Sequence, residues 1–299
     1  MKRPLYMNQS FAGRVFDVFN ALGMTLFVIV MFYPFINTVA ISLNEGMDAV
    51  RGGIYLWPRK FTLTNFQLAF RSPGMLRGAM VSVMRTTVGV VTGVVCTALL
   101  GYIVTCRRFM GRKLIRVVFI ITMYFSGGLI PTYLLMVRLG FVNTFAVYWV
   151  PGLFSAYYMI LASSYIQNIP ESLFESARID GASEMRILFQ FVIPLCIPML
   201  ACIAIYIGVG QWNSWFDVNI YSQDGRWDNL QIILYRLLTQ SSAISMMTEQ
   251  MALYEAMRNL QPVTVRAAIT VVVVVPIILI YPFFQRFFIS GITLGSVKQ

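Results

Sequence analysis

Six stretches of this chain contain no Asp, Glu, Lys or Arg: residues 18–44, 86–106, 117–137, 139–170, 187–216 and 267–285. Crossing a hydrocarbon layer about 30 Å thick takes about 20 consecutive, largely apolar residues in helical form. Each gap has room for one such helix. Inside lipid the backbone must satisfy its own hydrogen bonds within the segment, so these stretches read as helices and not as strands. The rest of the composition agrees: 58% of the 299 residues are hydrophobic and only 12% are charged. A soluble domain carries about a quarter charged residues, so this chain has too few to clothe a globule. The expectation is an all-α integral membrane domain over residues 1–299. Its six spans fall at about 20–43, 82–105, 116–137, 144–165, 190–212 and 266–287.

The first gap follows Lys2, Arg3 and Arg14 in the manner of a signal peptide. Its apolar run, from Ala21 to Leu43, is too long for a signal core and is followed by no clear cleavage box, so it reads as a retained anchor. Arg107, Arg108, Arg112, Lys113 and Arg116 crowd the short link between the second and third gaps. That density assigns the link to the cytoplasm, and an even helix count then puts both termini there. The net charge of +11 thus reads as membrane topology and not as nucleic-acid binding. The chain has no His, and Cys96, Cys106, Cys196 and Cys202 form no CxxC pair, which argues against a metal centre. Small apolar packing residues are the default reading for these cysteines. There is no Gly-Lys dipeptide, hence no P-loop, and any ATP and Mg must be bound by a partner.

Two long loops belong to the outer side. Glu45 to Gly78 is polar and rich in turn residues, and Asp217 to Gln261 shows helical spacing at Leu230, Ile233, Leu234, Leu237 and Leu238. Asp228 and Arg236 interrupt that spacing, which favours an amphipathic cap over a seventh span.

Residues 171–194 stand apart. Pro170 precedes Glu171 as at a helix entry, and Gly181 after Asp180 can take the left-handed conformation that ends a helix. A second helical stretch from Ser183 then leads straight into the fifth span. The segment reads as a short helix across the mouth of the domain, exposing Glu175, Arg178 and Glu184 beside the small residues Ser176, Ala177 and Ala182. Small side chains permit close approach by another protein, and flanking charges fix its register.

The run Glu175-Ser176-Ala177, Asp180-Gly181-Ala182, Ile193-Pro194-Leu195 resembles the EAA loop of ABC importer permeases, with Ser176 at the middle Ala and Ile at the usual Leu before Pro194. Arg108-Phe109-Met110-Gly111-Arg112 resembles the basic link of carbohydrate permeases. Gln285-Arg286-Phe287-Phe288 with Gly291, Gly295, Val297 and Lys298 resembles their C-terminal tail. Gly127-Gly128-Leu129-Ile130-Pro131-Thr132-Tyr133 and Tyr281-Pro282 resemble the branch of lipoprotein-like and complex-polysaccharide permeases. The likeness covers about residues 80–299. It implies a type I ABC importer permease fold in the bacterial cytoplasmic (inner) membrane and no catalytic activity in this chain. The implied partners are a second homologous permease, two ATPase subunits that bind ATP and Mg, an extracytoplasmic solute-binding protein and an oligosaccharide. Residues 167–190 would be the coupling loop: Glu175 would meet a basic residue of the ATPase, Ala177 and Ala182 would pack into its groove, and Gly181 would set the turn, with Ser176 and Asp180 in the same contact.

Residues that suit a sugar path are Trp212 and Asn213 within Gln211-Trp212-Asn213-Ser214-Trp215, and Tyr124, Tyr157 and Tyr158, with Ser126 nearby. For each, core packing or an interfacial aromatic belt is the competing reading, and for Trp215 the belt is favoured. Arg85 and Arg266 sit just inside outer span ends, where snorkelling to headgroups is the default. The alternative function is an ion-coupled secondary transporter or channel. Such carriers use an intramembrane ionisable group or matched broken helices, and neither shows in the sequence. A membrane enzyme lacks any pairing of nucleophile and base.

Overall fold

The computed structural model describes residues 11–245 and 263–296. Lys2, Arg3, Val297, Lys298 and residues 246–262 of the expected outer loop lie outside the described residues. Among the described residues the secondary structure is helical, apart from one isolated antiparallel bridge between Asn44 and Phe61. The chain divides into two compact units, one of residues 1–72 and 242–272 and one of residues 73–241 and 273–299.

In the first unit, α1 (Phe11–Ser42) is a 32-residue helix. None of its most apolar window is buried within the chain. The loop after it is more ordered than its turn residues suggest, for it contains α2 (Gly46–Val50) and α3 (Thr64–Arg71). Two buried asparagines hold it. Asn65 Nδ2 donates to the carbonyls of Ser42 (2.9 Å) and Asn44 (2.8 Å), while its Oδ1 accepts from Thr264 Oγ1. Asn44 Nδ2 donates to Asp48 Oδ2, which also accepts from Arg59 Nε at 3.0 Å. The Asn44 and Arg59 hydrogen bonds hold the Asp48 carboxyl below the usual carboxylate range.

The second unit is organised around α4 (Met75–Thr105). Arg85, Gly89, Gly93, Thr97 and Gly101 recur every four residues on this helix and are all buried. A Cβ on Gly93 would lie 2.8 Å from Ile207 Cδ1, and one on Gly101 would lie 2.6 Å from Ala162 Cβ. The glycines therefore let neighbouring helices approach the α4 backbone, the means by which helices pack where no hydrophobic gain drives them together.

Two expected spans are not continuous helices. The charge gap at 117–137 holds α5 (Arg112–Tyr124) and α6 (Leu129–Arg138), separated by Phe125–Gly128. Gly128 takes φ +84° and ψ 173°, a glycine conformation that interrupts a helix, and Pro131 is accommodated in the first turn of the helix that follows. The gap at 139–170 holds a 3₁₀ turn (Phe145–Tyr148), an irregular passage through Pro151 and Gly152, and α7 (Ala156–Ile166). At 13, 10 and 11 residues, α5, α6 and α7 are each too short to cross a bilayer alone.

α8 (Glu171–Ile179) is followed by α9 (Glu184–Ile187), a π turn (Leu188–Val192), α10 (Ile193–Leu195) and α11 (Ile197–Asn213). Here too the expectation needs correcting. The stretch from Ser183 does not lead straight into the fifth span but bends by 82° on entering α11. Pro194 and Pro198 flank the bend and each deprives a helical carbonyl of its partner N–H. α12 (Phe216–Tyr221), α13 (Leu230–Ser245) and α14 (Val263–Ser296) complete the chain, α14 with Pro276 and Pro282 inside it. Among the described residues three helices are long and apolar enough to cross a membrane: α1, α4 and α14 over Val263–Phe283. The bent pair of Glu184–Leu195 and Ile197–Asn213 makes a fourth.

Candidate functional site: the turn after the short amphipathic helix

α8 begins at Pro170, as its sequence requires, and ends in a turn built from backbone alone. Gly181 takes φ +77°. Its N–H donates to the Arg178 carbonyl (3.0 Å) and the Ala182 N–H to the Ala177 carbonyl (2.9 Å), the paired bonds of a Schellman ending. Ser183 caps α9, its Oγ accepting from the Arg186 N–H. The conformation is the constraint at Gly181, because an added Cβ would meet nothing within 4 Å.

The two faces of α8 differ from the expected arrangement. Phe174 and Ala177, three residues apart, are buried in this chain's own core with Tyr102, Ile187 and Leu188, and Ala182 packs half-buried against the same cluster. Ala177 is only 5% exposed, so it supports the helix from within and offers no surface to a partner. Glu175, Ser176, Asp180 and Gly181 are exposed, as is Ile179 at 86%. Nothing in the sequence marks Ile179 as exposed, because a hydrophobic residue on a short amphipathic helix ordinarily faces inward.

Glu184 is exposed as expected, whereas Arg178 is only 16% exposed, and the two are engaged with each other. Arg178 Nε donates to Glu184 Oε1 (3.0 Å), and the same carboxylate accepts from Tyr102 Oη of α4. Glu171 stands 3.9 Å from Arg178 and 3.6 Å from Arg107. These contacts join α8 and α9 to the end of α4. Tyr102 sits in an uninterrupted apolar run, so nothing in the sequence marks it as a partner of Glu184.

Near the other end of α4 lies a second network. Arg85 does not snorkel: its side chain is 1% exposed and it pairs with Asp217, with Nη2 2.6 Å from Oδ2. Arg85 Nε donates to Gln211 Oε1 (3.0 Å), and the guanidinium lies 4.9 Å from the centre of the Tyr148 ring. Gln211 Nε2 donates to the Tyr148 carbonyl, and Asp217 Oδ1 accepts from Ser214 Oγ. Arg266 is half-buried. Asp217 lies just beyond the fifth charge gap and 132 positions from Arg85, so nothing in the sequence pairs the two.

Trp212 is buried, its indole N–H donating to the Val273 carbonyl (2.9 Å). It borders an almost wholly apolar cavity of about 290 Å³ with Thr86, Val90, Gly208, Pro276 and Tyr281. Asn213 is exposed. Tyr124 is 81% and Tyr157 55% exposed, and Tyr157 meets half-buried Tyr158 edge to face. Trp215 stacks on Tyr235 with ring centres 3.9 Å apart. The expected helix at 230–238 is present, and Leu230, Ile232 and Leu234 are its buried residues.

In the second unit apolar helices pack on the glycine-lined α4, and α8, bounded by its turn, presents exposed residues beyond the end of α4, an arrangement that fits a membrane component acted on by a partner. Residues 89–293 match the family of binding-protein-dependent transport system inner membrane components, and the chain belongs to that family. It is therefore a permease subunit of an ABC importer and not an enzyme, which removes the ion-coupled alternative. Protein LplC of Bacillus subtilis is 32% identical, the match covering 98% of each chain. The polygalacturonan/rhamnogalacturonan transport system permease protein YtcP of the same organism is 31% identical over 96% of this chain and 99% of its own. A bacterial ABC transporter involved in the import of the acidic polysaccharide alginate contains a chain that superimposes with a TM-score of 0.83 at 26% identity, covering 96% of this chain and 100% of that one. The fold is that of the type I ABC permeases.

Proposed function

We propose that this chain is one half of the translocation pathway of an ATP-driven importer for oligosaccharides released from complex, acidic polysaccharides, and that residues 167–190 couple it to an ATPase. The observation that carries the coupling role is the α8 corner. Its backbone turn is fixed, its inner face is packed, and Glu175, Ser176, Ile179 and Asp180 are held outward. A partner that closes on Ile179 and Glu175 moves a rigid body and not a loop, and the differential affinity of that partner for two arrangements is what drives the switch.

The substrate class is supported by relatives named for polygalacturonan/rhamnogalacturonan and for alginate. The exposed tyrosines Tyr124 and Tyr157, with Tyr158 and Asn213, are the path residues of this reading. Trp212 would offer that path its ring and not a donor, because its N–H is already engaged by the Val273 carbonyl. In this reading the chain crosses the bacterial inner membrane six times, the third and fourth crossings being made by broken helices. Both termini and the basic link lie in the cytoplasm. The partners are a second homologous permease, two ATPase subunits binding ATP and Mg, and an extracytoplasmic solute-binding protein.

Proteoliposomes containing the full complex test the proposal. Uptake of a labelled uronic-acid oligosaccharide should require internal ATP and external loaded binding protein together. Uptake driven by an ion gradient without ATP would overturn it.

A further inference from the structure

The link between α4 and α5 does more than carry positive charge. Arg107, Arg112, Lys113 and Arg116 converge with Val104, Thr105 and Gln167 on a cavity of about 410 Å³ whose lining includes no acidic residue. Arg116 is oriented in it by a hydrogen bond from Nη2 to the Val104 carbonyl (3.2 Å). Arg107 leans toward Glu171, but Arg112 and Lys113 have no ion-pair partner among the described residues. No side chain caps the N-terminus of α5, which opens at the same place, so the helix end adds its own positive potential.

A cationic cavity of this kind recognises a phosphate-bearing anion. What identifies the source is the surface that continues from it. Ile115 and Phe119 turn inward against a core of Leu100, Val104 and Met159, while Leu114, Val117, Val118 and Ile121 of α5 remain 49–69% exposed. A soluble anion has no use for this apolar strip, whereas a phospholipid seats its headgroup in the cavity and lays its chains along the helix. We infer that the α4–α5 corner is a binding site for an anionic phospholipid. The site depends neither on the cargo nor on the coupling role of α8. Through Arg107 and Glu171 it touches the first turn of α8, at the end opposite the Gly181 turn.

The test is photo-crosslinking of the intact transporter in liposomes with photoactivatable phosphatidylglycerol or phosphatidylcholine, the adducts being mapped by mass spectrometry. Phosphatidylglycerol should label residues 104–121 in preference to phosphatidylcholine. Each basic residue near a headgroup changes affinity about fivefold. The Arg112→Gln/Lys113→Gln/Arg116→Gln triple variant should therefore lose about a hundredfold of that preference, while Arg112→Lys/Arg116→Lys keeps most of it. Equal labelling by the two lipids in the unaltered protein would overturn the inference whether or not the triple variant folds. So would labelling unchanged in a folded triple variant. Displacement of the label by excess inorganic phosphate would assign the cavity to a soluble anion instead.

Discussion

The Arg85–Asp217 pair offers a sharp test of how the upper part of the second unit is held. Asp217→Asn keeps the shape of the side chain but removes the carboxylate paired with a guanidinium that is 1% exposed. Stripping one partner from a buried ion pair costs about 3–5 kcal/mol. The lower end applies here, about 3 kcal/mol, because Asp217 is itself 27% exposed and Arg85 keeps Gln211 and the Tyr148 ring. Arg85→Met leaves Asp217 better provided, since Ser214 Oγ and the Val218 N–H still donate to it. Its cost should fall at about 1–2 kcal/mol. The double variant contains no unpaired buried charge, so its loss should be smaller than the sum and the complex should melt above the Asp217→Asn single. The assay is thermal unfolding of the complete transporter in nanodiscs, run on all four members of the cycle. Strictly additive losses, or an Asp217→Asn protein that melts with the unaltered one, would refute the idea that this pair is a coupled, desolvated unit.

Other substitutions separate packing from coupling. Gly101→Ala puts a Cβ 2.6 Å from Ala162 and should lower complex stability by about 1–3 kcal/mol in the same melting assay, while Gly23→Ala, with nothing within 4 Å, should not move it. Tyr102→Phe removes the hydrogen bond to Glu184 at almost constant volume, and should lower the sugar transported per ATP hydrolysed while leaving the amount of assembled complex unchanged. In acid, Asp48 weakens the loop after α1, which it helps to hold through Asn44 and Arg59. Its folded pKa lies below its unfolded value of about 3.9, so its contribution is complete above that value and fades as pH falls through the folded pKa. Limited proteolysis of the 45–72 loop should therefore be flat from pH 8 to about pH 5 and accelerate only in stronger acid, and Asp48→Asn should be cut more readily at neutral pH.

What could be read directly from residues was what depends on local rules. A charge gap locates apolar chain, Pro170 opens a helix, and Gly181 after Asp180 closes one, because each acts within a few residues of itself. The α8 corner was legible for that reason. The continuity of a helix is a different matter: the third and fourth gaps satisfy the length rule, yet Gly128 and the Pro151-Gly152 passage break them internally. Pairings across long separations were not legible at all. Arg85 looked like a snorkelling residue because Asp217 lies 132 positions away, and Ala177 looked like a contact residue because its own core, built on Tyr102 and Leu188, is assembled from other helices. The small-residue spacing from Gly89 through Gly93 to Gly101 was the one available sign that α4 is a packing axis.

The central claim is that the α8 corner transmits force from an ATPase to this subunit. Gly181→Pro forces a φ near −65° where the chain needs +77° and removes the N–H bonded to Arg178, while Glu175→Lys reverses an exposed charge without touching the core. ATP-driven oligosaccharide uptake by reconstituted complexes carrying each substitution is the most direct measurement. Both variants should insert and fold, retain the second permease, and lose ATPase association or uptake at least tenfold. Normal ATPase assembly and normal uptake in both would contradict it.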